Sequence, residues 1–380
     1  MTIKKAIGTI HLWLGLTSGL VVLFLGITGC ILAFQREIEM ATKPYQFVTP
    51  RDHSFITPSR MHTIASAQLP GKHAHSITYG QKNKAAVVTF YHDEPEYYYQ
   101  VYLDPYTGAV LKVNNMDDDF FRIIVNGHFY LWLPHDIGRP IVASATLIFV
   151  VMMITGIVLW WPKNKAARKQ RFSVKWNAKW RRVNYDMHNV LGFYMSWVAI
   201  FIAITGLVWG FEWVSKSIYW FASGGDQAIA FYEPASRPGG KSSTTIPVED
   251  RVFEKMAALY PSAETLEVHF SENDTSAIEG AANPDASTYW QTDYRYFDHH
   301  TLEEIPVTHL YGRLKDTRVA DKIARMNYDI HVGAIWGLPG KILAFFASLL
   351  AASLPVTGFL IWWGRKKKTK PSVKASPLVR

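Results

Sequence analysis

Hydrophobic and polar positions alternate along this chain in long blocks. Apolar runs cover residues 12–34, 140–161, 190–213 and 340–363, with strongly polar stretches between them. Each run reaches about 20 residues, the length a helix needs to cross a hydrocarbon core roughly 30 Å thick. Four transmembrane helices are predicted. The intervening segments 37–138 and 214–339 are each long enough for a small domain. Within them Tyr97–Leu103 reads as a strand, and Asp104-Pro105-Tyr106-Thr107-Gly108 as a tight turn. Tyr289–Phe297, followed by Asp298-His299-His300-Thr301, reads as a copy whose turn lacks the glycine. Residues 250–260 have helical amphipathic spacing, and 233–246, with Pro234, Pro238, Gly239 and Gly240, reads as a linker.

The apolar blocks repeat. His11-Leu12-Trp13-Leu14-Gly15 and His188-Asn189-Val190-Leu191-Gly192 are each followed by Thr-Gly, seventeen residues after the histidine, at Thr28-Gly29 and Thr205-Gly206. The second and fourth runs carry Thr155-Gly156 and Thr357-Gly358, each ending in a Trp pair, Trp160-Trp161 and Trp362-Trp363. Their upstream histidines, His128 and His331, lie 27 and 26 residues before the threonine. The expected fold is a membrane α-helical bundle of four transmembrane helices with two periplasmic α+β domains, built by internal duplication.

Charge sets the orientation. The net charge of +9 is partitioned, so it is no nucleic-acid footprint. The 163–187 loop holds Lys163, Lys165, Arg168, Lys169, Arg171, Lys175, Lys179, Arg181 and Arg182, and the 365–380 tail is also basic. By the positive-inside rule this loop and both termini are cytoplasmic. The two large segments are then external, which in a Gram-negative cell means periplasmic. The single cysteine, Cys30, excludes an intrachain disulfide, Fe–S cluster or multi-thiolate zinc site.

Four histidines carry the chemistry. An ionisable residue at a membrane span marks a functional site, and neutral imidazole is a good iron ligand. The first and third spans run outward and place His11 and His188 at the cytoplasmic level. The second and fourth run inward and place His128 and His331 at the external level. Two same-depth pairs predict two b-type haems, each with two axial histidines, His11/His188 and His128/His331. Pro134 and Pro140 separate His128 from its span, so it is placed on a short helix of its own, and His135 is an alternative ligand there. Small-residue stripes (Gly8, Gly15, Gly19 and Gly26; Gly192, Ser196, Ala199 and Ala203; Gly340, Ala344, Ser348 and Ala351) either make room for a macrocycle or let helices approach. Arg139, Arg181, Arg182, Arg325 and Lys341 flank the haem levels and are candidate propionate partners. The Trp pairs read as an interfacial belt. His73, His75, His299 and His300 read as surface residues.

The blocks 11–29, 128–161, 188–206 and 331–363 resemble the PepSY-associated transmembrane family, and Tyr102–Leu111 resembles the end of a PepSY domain. The resemblance implies a bacterial inner-membrane protein linked to iron uptake, with haem ligation by His11, His188, His128 and His331. It implies a di-haem reductase of ferric siderophores in the periplasm. Tyr130, Trp132 and Trp336 are candidates to line the mouth where the siderophore binds. The chain lacks a strand–G-x-G-x-x-G–helix context, so quinol or a separate flavin reductase supplies the electrons. The competing expectation is a non-redox, membrane-tethered binding or inhibitory module, which leaves the paired histidines without a role.

Overall fold

The computed structural model describes residues 2–162, 171–237, 244–271, 273 and 275–366. Lys163, Lys165, Arg168 and Lys169 of the basic loop, Gly239 and Gly240 of the linker, and the tail beyond Lys366 lie outside the described residues. The elements that position the site are α1 (Ile3–Ala33), α2 (Pro58–Ser66), β1 (Ser76–Tyr79), β2 (Ala86–Asp93), β3 (Glu96–Leu103) and β4 (Val110–Asn115). They continue with α3 (Phe120–Tyr130), α4 (His135–Trp160), α5 (Trp180–Gly210), α6 (Val248–Leu259) and β5 (Thr265–His269). The last are β6 (Ile278–Asn283), β7 (Asp293–Phe297), β8 (Glu304–Ile305), α7 (Asn327–His331) and α8 (Gly337–Lys366). Contacts divide the chain into two compact units.

One unit gathers Met1–Ala33, Asn126–Phe211 and His331–Arg380. It holds the four helices long and apolar enough to cross a membrane, where the four apolar runs predict them. They pack as a ring: α1 against α4, α4 against α5, α5 against α8, and α8 against α1. The glycine stripe of α1 serves that packing. A Cβ at Gly19 would lie 3.2 Å from Pro355, and one at Gly26 would lie 2.7 Å from Ala352, so these glycines let α8 approach closely. Trp160 departs from the belt expectation. It is 3% exposed and stacks on Phe193 at 3.7 Å, whereas Trp161 is exposed.

The two histidine-bearing short helices are folded back in the same manner. After α3 the chain reverses through Leu131 and Trp132, both left-handed (φ 55° and 56°), and a Cβ at Gly138 of α4 would collide with the Tyr130 carbonyl. After α7 it reverses through Gly333 (φ 79°), and a Cβ at Gly340 of α8 would collide with the Gly333 carbonyl. In both places a bare glycine at the start of the long helix admits the backbone of the short one.

The other unit gathers Phe34–Val125 and Glu212–Ile330. The two segments, each expected as an α+β domain, supply four strands apiece to a single antiparallel sheet of order β4-β3-β2-β1-β5-β6-β7-β8. The join is β1 on β5, with Ser76 opposite His269 and Ile77 opposite Val268. Alternation along the strands sends Ile77, Val88, Val101, Val268, Ile278 and Phe297 to one face. There they bury against Met61 and Ala65 of α2 and Val252 and Met256 of α6. Buried Asp250 of α6 caps α2, accepting from the Ser59 amide at 2.7 Å and the Ser59 hydroxyl at 2.6 Å.

The expected turns are present. Gly108 is left-handed (φ 77°), and its amide donates to the Asp104 carbonyl at 2.8 Å. In the second copy Leu302 takes that place (φ 58°), donating to the Asp298 carbonyl at 3.0 Å. The missing glycine is thus replaced by a leucine held in the same conformation, packed against the core.

Candidate functional site

His11 lies in the first part of α1, and His188 lies in a five-residue π turn, Met187–Leu191, inside α5. Single π turns in long helices recur at functional sites because they re-aim one side chain. His128 is on α3, separate from the span that follows, and His331 ends α7. The separate short helix foreseen for His128 is observed.

Each ring is held by a threonine from a neighbouring helix. The Nδ1 atoms pair as His11 with Thr155 Oγ1 at 2.9 Å, His128 with Thr28 at 2.7 Å, His188 with Thr357 at 2.9 Å, and His331 with Thr205 at 3.0 Å. These threonines are the Thr-Gly positions of the sequence repeat. The glycine beside each faces the ring edge. A Cβ would lie 3.5 Å from His11 Cε1 at Gly156, 3.7 Å from His128 at Gly29, 3.2 Å from His188 at Gly358 and 3.2 Å from His331 at Gly206.

Hydrogen-bond accounting fixes the tautomer. A hydroxyl has one proton and each histidine nitrogen is either donor or acceptor. Each threonine hydroxyl already donates to a carbonyl four residues back: Thr28 to Phe24, Thr155 to Val151, Thr205 to Phe201 and Thr357 to Ser353, at 2.9–3.0 Å. Its oxygen is therefore free only to accept, and Nδ1 carries the proton. For His331 a carbonyl makes the same demand, because Nδ1 also lies 2.9 Å from Ile202 O. Every Nε2 is left with its lone pair, the form that binds a metal.

The outer two rings converge. His128 and His331 have ring centres 6.3 Å apart and planes inclined by 70°. Two imidazoles bound through Nε2 to one iron, each at about 2 Å, place ring centres roughly 6 Å apart. No cluster of three or more His, Cys, Asp or Glu side chains that would hold a metal ion by itself occurs among the described residues. Two imidazoles alone suit an iron whose other ligands come from a macrocycle, so the donor set of the outer pair fits haem iron.

Other predicted residues are more dispersed. His135 is exposed and faces Tyr130 at 5.1 Å between ring centres. Trp132 folds over Gly127 and meets Phe24 edge-on at 5.2 Å, while Trp336 is exposed. Arg139 donates to the Trp209 carbonyl at the end of α5, at 2.9 Å. Arg182 pairs with Asp186, and Arg325 is buried in the sheet unit, donating to the Thr292 carbonyl. Sequence reasoning missed the threonines as partners and Trp209, whose ring is 5.2 Å from that of His331. The Thr-Gly repeat was the available signal for the first. Nothing in the sequence marks Trp209.

On the sheet, His75 and His269 lie 4.7 Å apart, ring to ring. His269 Nε2 is 3.5 Å from Glu267 and 3.6 Å from Glu279. Burial opposes charge on His269, but Glu267, Glu279 and Glu233 outweigh it and raise the imidazole to about 9.

The family described as PepSY-associated TM region matches residues 9–365. No curated protein sequence matches the chain.

Proposed function

The chain therefore belongs to that family, and from this premise we propose that it is a bacterial inner-membrane oxidoreductase carrying electrons to ferric siderophores in the periplasm. The carrying observation is the His128–His331 separation of 6.3 Å, with both Nε2 atoms free. When bound, each b-type haem supplies a one-electron iron couple. His11 and His188 hold the cytoplasmic-side position, and His128 and His331 the periplasmic one. Because His128 is held at Thr28, seventeen residues beyond His11 on α1, the two levels are about 25 Å apart. With haem bound, the His11/His188 position would take electrons from quinol or a separate flavin reductase, and the His128/His331 position would be the exit.

The reaction needs no acid–base residue. Hard oxygen donors hold Fe(III) far better than Fe(II), so one electron loosens the chelate. Trp132 and Trp336, exposed beside the outer histidines in sequence, are the proposed contacts for the siderophore, together with Tyr130. The matching His–Thr pairs in both halves support an internal duplication, and the partitioned charge supports cytoplasmic termini.

The test is spectroscopic. Purified protein should give a reduced-minus-oxidised haem spectrum with about two haems per chain. His11→Ala and His188→Ala should each remove one and the same haem, and His128→Ala and His331→Ala the other. Dithionite-reduced protein should be reoxidised by ferric siderophore, with Fe(II) captured by a ferrous chelator, and His331→Ala should not. A colourless protein, or one indifferent to every ferric chelate offered, overturns the assignment.

A further inference from the structure

We propose that Thr28, Thr155, Thr205 and Thr357 are positioning residues for the iron ligands, and that Thr205 carries less of that role than Thr28 and Thr155. The inference rests on the reading that the four histidines bind haem iron. Each threonine accepts the Nδ1 proton of one histidine, which fixes the tautomer, sets the ring plane and makes Nε2 a stronger donor. The bonds stay within each half: His11 with Thr155 and His128 with Thr28, then His188 with Thr357 and His331 with Thr205. The haem pairs cross between halves. Each haem thus has one axial ligand oriented by each half.

The inequality comes from a second acceptor. His331 Nδ1 also reaches the Ile202 carbonyl at 2.9 Å. At His11 and His128 the threonine hydroxyl is the Nδ1 partner found among the described residues. Removing the hydroxyl of Thr28 or Thr155 leaves an Nδ1–H without that acceptor, whereas at Thr205 a carbonyl still holds it. Thr28 and Thr155 therefore carry the orientation of His128 and His11, and Thr205 shares that of His331 with the main chain.

Valine replaces threonine at nearly constant shape without the hydroxyl, and serine keeps the hydroxyl. In the full-length purified protein, haem titration and potentiometry would be run on all four Thr→Val variants and on Thr28→Ser and Thr155→Ser. Thr28→Val should weaken haem binding at the outer position, and Thr155→Val at the inner, by about tenfold or more, the usual range for an outer-shell partner. Each should also raise the midpoint potential of its own haem, because a less basic imidazole stabilises the ferric state less. Thr205→Val should change affinity by less than about threefold. The serine variants should restore both affinity and potential.

Equal effects of Thr205→Val and of Thr28→Val and Thr155→Val, or unchanged binding and potential in Thr28→Val and Thr155→Val, overturn the inference while leaving a haem-binding wild type intact. Losses that serine does not restore also overturn it, since the hydroxyl is then not the cause. A wild-type protein that takes up no haem overturns the proposed function along with it.

Discussion

At the scale of single residues, the chain shows two ways of setting a histidine. The four membrane-unit rings are each seated by a threonine that can only accept. His269 is instead set by charge, with Glu267 and Glu279 beside its Nε2 on the sheet. Its imidazole is raised from an ordinary value of 6.5 to about 9, so the folded state binds the proton more tightly than the unfolded chain. The stabilisation is complete below about pH 6.5 and is lost as pH rises through about 9. After discounting for partial exposure it is about 2 kcal/mol. Hydrogen exchange of the β5 and β6 amides, compared at each pH with His269→Gln, reads it directly. The protection advantage of the wild type should be largest below about pH 6.5 and vanish by about pH 10. A pH-independent difference would mean the proton is not involved. None of this was visible in sequence, because Glu267, His269 and Glu279 meet only through strand register.

At the scale of elements, the two turns after β3 and β7 offer a matched comparison. Gly108 and Leu302 occupy the same left-handed place, which costs a non-glycine residue about 1–2 kcal/mol. Gly108→Ala adds that strain and brings its Cβ to 2.7 Å from Ile64, so a loss of about 2 kcal/mol is expected. Leu302→Gly relieves strain but removes a core contact, and should change stability by less than about 1 kcal/mol. Thermal unfolding in detergent should rank the two accordingly, and equal shifts would show that backbone handedness is not what separates the turns. The spans, the short helix under His128 and both turns were legible because they are local: apolar length, a proline boundary, and Asp104–Gly108 with its glycine-free counterpart Asp298–Thr301 state them directly. Azimuth around a helix was not legible. Residues 11 and 28 announce their depths, but only packing shows that Thr28 faces His128 and that Gly19 and Gly26 face α8. Trp160 was misread for that reason, since a Trp pair at a span end reveals its level and not which ring turns inward.

At the scale of the whole molecule, the strand join is the part sequence could not give. One strand in each half, at Tyr97–Leu103 and Tyr289–Phe297, was read from sequence, but β1 and β5 are separated by nearly half the chain and their pairing leaves no local mark. That join has a consequence for any shorter version of the protein. A half ending before the basic loop would expose β1 as a bare edge with its hydrogen-bonding groups unsatisfied, and such edges recruit other strands. The β1–β5 pairing is antiparallel, the arrangement that two copies of one strand adopt about a two-fold axis. The full chain is in this sense a dimer written on one polypeptide, with the loop between halves as its tether. Residues 1–162 produced alone in detergent should accordingly form homodimers through β1, and Thr78→Pro, which removes a pairing amide on the less buried side of that strand, should prevent it. If the half-chain is monomeric by light scattering, the edge is protected by something within the half itself, and the second half is a stabilising addition and no longer a replacement for a lost partner.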